Sequence, residues 1–142
     1  MSKKLHDFKI GQPFLYEKPS SYEEYLDAAL AAEKYIAEAA KEDEDGIYWQ
    51  DNATLYSGDA GIIYLYIKLY EVTGDDRFLE IVKKASKRLA RHWKDFLDAE
   101  PTLPLPGAHE GLHFGLGGLS IALAESYKIN PDEEVADAIK GI

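Results

Sequence analysis

Between Tyr22 and Ala40 the apolar residues Tyr22, Tyr25, Leu26, Ala29, Ile36 and Ala40 recur at helical spacing, with glutamates and lysines between them. This is the period of a helix with one apolar stripe and one wet face. Ser20 or Ser21, followed three residues later by Glu23 or Glu24, marks its start, because hydroxyl and carboxylate together satisfy two first-turn amides. The helix is expected to stop at Lys41-Glu42-Asp43-Glu44-Asp45-Gly46, where neighbouring carboxylates repel and the glycine permits a solvated turn. From about Asp59 to Val72 the pattern becomes apolar on nearly every side, as in a helix surrounded by others. Thr73-Gly74 then supplies a stop and Asp75 an N-cap. The next helix runs to about Leu97, with Phe78, Ile81, Val82, Ala85, Leu89, Trp93 and Phe96 on one face. Lys83, Lys84, Lys87, Arg88 and Arg91 fill its other side. After a proline-rich loop at 101–107, a second all-round apolar segment spans Gly115 to Ile129, and Asn130-Pro131-Asp132-Glu133 opens a last helix with Asn130 as cap.

The two apolar helices are copies. An offset of 57 residues carries Leu55 onto Leu112, Gly58 onto Gly115, Gly61 onto Gly118, Ile62 onto Leu119, Tyr70 onto Tyr127 and Asp75-Asp76 onto Asp132-Glu133. Each unit reads as Leu-x-x-Gly-x-x-Gly, an apolar inner helix, a short turn and an Asp-capped amphipathic outer helix. The expected fold is therefore all-α, an arc of helical hairpins with about five helices. It forms a single domain over residues 1–142, with an extended arm at 1–19 and hairpins over 20–142.

Charge narrows the function. A net charge of −10 repels polyanions, which excludes nucleic acid and anionic membranes as partners. The longest apolar run, Ala60 to Ile67, is far shorter than the ~20 residues of a transmembrane helix. Met1-Ser2-Lys3-Lys4 has no apolar stretch behind it, so a cytoplasmic location is expected. The absence of cysteine means that this chain supplies no thiolate ligand and no disulfide.

The segments Leu55-Tyr-Ser-Gly-Asp-Ala-Gly-Ile62, Thr73-Gly-Asp-Asp-Arg-Phe-Leu79 and Gly111-Leu-His-Phe-Gly-Leu-Gly-Gly-Leu119 resemble the lanthionine synthetase C-like family. The resemblance runs from about Gly46 to the C-terminus. It implies part of an α/α toroid and, as parent activity, thioether (lanthionine) ring formation on peptides. In that chemistry a zinc ion held by two cysteines and a histidine activates a peptide thiol. This sequence departs from the pattern: it has no cysteine, and the last helix stops after about ten residues while its repeat mate runs for more than twenty. The expectation is a truncated domain without a complete active site or a metal of its own. A peptide is its expected substrate, and a second copy would cover an exposed apolar flank. The alternatives are a non-catalytic peptide-binding scaffold, a zinc peptidase and a carbohydrate-active α/α barrel.

The sharpest chemical string is His109-Glu110-Gly111-Leu112-His113, a literal H-E-x-x-H. That signature binds zinc only when a continuous helix sets the two histidines one turn apart. Here Pro104, Pro106 and Gly111 argue for a loop entering the inner helix. Calcium at the acidic turn is disfavoured, because Lys41 and Asn52 stand where an EF-hand needs acids. Candidate substrate contacts are the residues at inner-helix N-termini, Tyr56, Asp59, His109, Glu110 and His113, with Trp49 and Asp51 upstream. Free amides there would also suit anionic groups. For each residue the competing reading is capping or core packing. His92 is read as structural, placed near the negative end of its helix dipole. Tyr22, Tyr25, Tyr35, Tyr64, Tyr66 and Tyr70 are read as core packing in preference to a carbohydrate platform.

Overall fold

The computed structural model describes residues 21–50, 52–98 and 110–142, without the side chains of Leu97 and Asp98. The chain divides into two compact units, Met1–Tyr35 and Ile36–Ile142. The described part of the first unit is helical and belongs to α1 (Tyr22–Glu38). Ser21 Oγ accepts the Glu24 amide at 3.3 Å, so the serine cap forms as expected. The expected apolar stripe is not a buried face: Tyr22, Tyr25 and Tyr35 are 64%, 45% and 60% exposed. Tyrosine tolerates this because its ring carries a polar end.

The second unit holds a two-stranded hairpin, β1 (Lys41–Asp43) and β2 (Gly46–Tyr48), then α2 (Asp59–Thr73), α3 (Asp76–Asp98), α4 (Leu116–Ile129) and α5 (Glu133–Gly141). Among the described residues the fold is all-α apart from that hairpin. Inner helix α2 packs against α3 and α4, and α4 packs in turn against α5. Ile63, Tyr66 and Ile67 of α2 and Leu119, Ala122 and Leu123 of α4 are completely buried. Phe78, Val82, Ala85, Leu89 and Trp93 of α3 close over them, while Ile81 and Phe96 are half-buried. Among the described residues no helix is long and apolar enough to cross a membrane.

The acidic run is not a free solvated turn. Lys41–Asp43 pairs antiparallel with Gly46–Tyr48, and Asp43 Oδ1 accepts the amides of Asp45 and Gly46 at 3.0 and 3.1 Å, which closes the loop. The basic side of α3 neutralises it. Lys84 reaches Glu42 at 2.7 Å, Arg88 reaches Asp43 at 2.9 Å, and Arg91 reaches Asp45 at 3.0 Å. The Arg88 guanidinium also lies 3.7 Å from the centre of the Tyr48 ring. Protein cations thus hold the carboxylates that a calcium loop would need. His92 belongs to the same cluster, bridging Asp95 and Asp45 at 2.9 Å each. These carboxylates, Asp95 first, raise its pKa above the ordinary histidine value, which replaces the helix-dipole account given from sequence. On the far side of Arg91, Glu134 of α5 is held down to about 2 by its hydrogen bonds to Arg91 and then Lys87.

The 57-residue repeat is visible in the backbone. Gly58 and Gly115, which precede α2 and α4, have φ/ψ of −134/−166 and −135/−166. Asp75 Oδ1 accepts the Arg77 amide at 2.9 Å, and its mate Asp132 Oδ1 accepts the Glu134 amide at 2.9 Å. Asp132, not Asn130, is therefore the cap of α5. The units differ at one stop. Gly74 takes the left-handed conformation (φ 66) and donates to Tyr70 O, whereas Pro131 stands at the equivalent position. Proline has no amide hydrogen and cannot adopt that φ, so α4 ends one turn position earlier, with Asn130 donating to Ser126 O at 2.9 Å.

Candidate functional site at the inner-helix N-termini

The turns that lead into α2 and α4, Leu55–Gly58 and Leu112–Gly115, lie side by side. The Tyr56 amide donates to His113 O at 2.9 Å, joining two repeat-equivalent residues. The Tyr56 ring rests on Phe114 (centroids 4.9 Å) and meets His113 edge-on at 6.4 Å. Tyr56 is nonetheless 71% exposed, and His113 and Glu110 are exposed beside it. The result is an aromatic surface that remains open to solvent.

Close approach at this junction requires glycine. A Cβ on Gly61 would stand 2.2 Å from Leu55 O, and one on Gly118 would stand 2.2 Å from Leu112 O and 2.7 Å from Leu55 Cβ. Each second glycine of the motif thus lets its own turn fold back on the helix, and Gly118 also receives Leu55 of the preceding unit. Beside the start of α2, Leu55, Tyr56, Gly58, Gly61, Ile62 and Leu65 line an open recess of about 330 Å3.

The loop before α2 is rigidly self-bonded. Asn52 Oδ1 accepts the Thr54 amide at 3.0 Å, Asn52 Nδ2 donates to Ser57 Oγ at 3.0 Å, and Thr54 Oγ1 accepts the Ser57 amide at 3.2 Å. The amides of Gly58, Asp59 and Gly61 go to the carbonyls of Thr54, Asn52 and Gly58. Those N–H groups are bonded within the fold and are not free for an anion at the start of α2.

The structure separates the sequence candidates. Trp49 is only 4% exposed, stacks on Tyr66 at 5.6 Å, and donates through Nε1 to Ile36 O at 2.8 Å. It is a core residue. Asp59 is 7% exposed and accepts the Trp49 and Gln50 amides at 3.0 and 2.9 Å. Its carboxylate faces back into the fold and ties the segment just after β2 to α2, instead of facing the open surface at the junction. Tyr56, Glu110 and His113 do come together at the open surface. Asp51 and His109 lie outside the described residues. Phe114 also lies on this surface; it is not among the sequence candidates, although the 57-residue offset pairs it with Ser57 at the other turn.

Residues 110–115 form turns, and α4 begins only at Leu116. The described part of the H-E-x-x-H string is therefore not helical, and the one-turn spacing that its zinc chemistry needs is not formed there. Among the described residues no group of three or more His, Asp or Glu side chains is placed to hold a metal ion.

A family model described as Lanthionine synthetase C-like protein matches residues 49–142, from the end of β2 through both hairpins. The chain belongs to the lanthionine synthetase C-like family. No solved structure matches it. The matched region contains both Gly-x-x-Gly turns and the Tyr56–His113 junction. The donor set of this lanthionine synthetase C-like chain does not fit the zinc that its family resemblance implies, because it has no cysteine to provide the two thiolates.

Proposed function

We propose that this lanthionine synthetase C-like chain serves thioether formation on peptides by holding the peptide, and that the groups activating the thiol are not its own. The observation that carries this reading is the open Tyr56–Phe114–His113 surface at the junction of two inner-helix N-termini. Such a surface suits an extended peptide: aromatic faces receive apolar side chains, and the imidazole and the Tyr56 hydroxyl can bond to its backbone. The absence of cysteine supports a holding role over a metal-activating one. No step through zinc is assigned to this chain.

The test is fluorescence anisotropy with a labelled linear peptide carrying dehydroalanine, dehydrobutyrine and cysteine. Saturable binding is expected, and Tyr56→Ala should weaken it by about fivefold to tenfold, the effect of losing about 1 kcal/mol or more of aromatic contact. Because Tyr56 is exposed, the variant should melt close to the parent chain. Equal affinity of the variant and the parent chain would refute the assignment of the site.

A further inference from the structure

The acidic hairpin is held by different means at its neck and at its tip. At the neck, Trp49 is buried against Tyr66 and donates through Nε1 to Ile36 O at 2.8 Å, which pins the residues before β1 to those after β2. Asp59 accepts the Trp49 and Gln50 amides beside it. At the tip the hold is ionic. Lys84, Arg88, Arg91 and His92 of α3 meet Glu42, Asp43 and Asp45. Gly46 lies so close to α3 that a Cβ on it would stand 2.2 Å from Lys84 O. His92 differs from the other cations of this face, because a histidine changes its charge near neutral pH. Both of its ring nitrogens face carboxylates at 2.9 Å, Nε2 that of Asp45 on the tip and Nδ1 that of Asp95 on its own helix. Only the imidazolium has a proton for each; the neutral ring sets a lone pair against one of them.

We propose that the hairpin tip is a pH-dependent flap on α3, latched by the His92 imidazolium and loosened when that ring loses a proton. On deprotonation the bond to Asp45 is either lost or kept without the ring's charge, at roughly half the strength. Arg88 and Arg91 still reach Asp43 and Asp45, so the flap loosens without detaching. The neck is held by burial and backbone bonds, which confines the motion to the tip. The charged groups that face the ring are Asp95 and Arg88 from α3 and Asp45 from the hairpin, while Glu134 of α5 acts at one remove through Arg91. Asp95 and then Asp45 raise the pKa of the ring, and Arg88 opposes them. The unfolded value is about 6.5, so the latch is complete below that pH and is lost as pH rises through the higher folded value. On the acid side, His92 first and then Arg91 hold the Asp45 carboxyl below the usual carboxylate range, which keeps the tip latched in mild acid. The inference is independent of peptide binding.

The experiment places a nitroxide on Glu44→Cys, an exposed position at the tip of the otherwise cysteine-free chain. Its electron paramagnetic resonance spectrum is followed over about pH 5–9 while nuclear magnetic resonance follows the His92 ring. The ring should titrate above the ordinary histidine value, and the mobile fraction of the label should rise with the same midpoint. Asp95→Asn removes the first of the two attractions on the ring without touching the tip, and should lower both midpoints together. His92→Gln should show no transition in label mobility over this range. Both substituted residues are partly exposed, so each variant should keep the helical circular dichroism of the parent chain. Four outcomes would overturn the proposal: a ring that titrates at or below the ordinary value, a label whose mobility stays constant with His92 in place, a transition that survives in His92→Gln, or an Asp95→Asn variant in which the ring midpoint moves and the label midpoint does not.

Discussion

Gly118→Ala should lower the stability of the folded chain by about 3 kcal/mol or more, read from chemical denaturation, even though alanine is the better helix former. In an open helix this exchange gains about 1 kcal/mol. Here the added methyl would stand 2.2 Å from Leu112 O and 2.7 Å from Leu55 Cβ. The first neighbour is backbone of the turn that enters α4, and it cannot move without breaking the junction to Tyr56. Overpacking that forces side chains and backbone to shift costs about 1–3 kcal/mol and occasionally more, and a 2.2 Å approach to backbone belongs at the upper end. Gly117→Ala is the internal control. Its methyl would meet Glu110 O at 3.1 Å and Gly111 O at 3.3 Å, contacts that a few tenths of an ångström relieve, so that variant should remain near the parent chain. Equal stability of the two variants would mean that the turn does not press on the helix as described.

Asp59→Ala is expected to cost about 2–5 kcal/mol. The carboxylate is buried and accepts two backbone amides, those of Trp49 and Gln50. Each amide left unpaired away from water costs about 1–3 kcal/mol. Asp59→Asn retains a carbonyl oxygen for the same amides and should recover much of the loss. A direct role in peptide contact predicts the opposite pattern, with near-parental stability for Asp59→Ala and weakened peptide affinity. Paired denaturation and anisotropy measurements on both variants distinguish the two.

The helices and their repeat were legible in the sequence because both rest on local signals. Three- and four-residue periodicity placed α1 and α3, all-round apolar runs placed α2 and α4, and Asp75 marked the start of α3, whereas the cap of α5 was read at Asn130 and lies at Asp132. What escaped depends on residues far apart in the chain. Each strand of the hairpin has three residues, and β1 is Lys-Glu-Asp, which carries no strand signal of its own. Its carboxylates are paired by Lys84, Arg88 and Arg91, more than forty residues away. A row of acids and a row of bases were each visible, but their pairing was not.

The candidate site was legible as a location more than as a set of roles. The glycine-marked turns pointed to the inner-helix N-termini, and the structure brings Tyr56, Glu110 and His113 to the surface there. An aspartate at a helix start reads equally as a ligand, as a cap or, as Asp59 proves to be, as a buried brace for an upstream segment. Trp49 gave no sign from sequence of which way its ring points; its stacking on Tyr66 and its bond to Ile36 O decide that it is core. The close contact of Leu55 with Gly118 required knowing that two turns 57 residues apart lie side by side.

The two 57-residue repeats are joined turn to turn through the Tyr56 amide and His113 O. Residue-resolved hydrogen exchange of the uniformly labelled chain tests it, because Tyr56 lies outside any helix and no bond within its own turn protects its amide. The account predicts exchange of the Tyr56 amide as slow as that of Ile63 and Leu123 in the helical core, opening only with the unit as a whole. Exchange at the rate of a free, solvent-exposed amide, with α2 and α4 still protected, would contradict it.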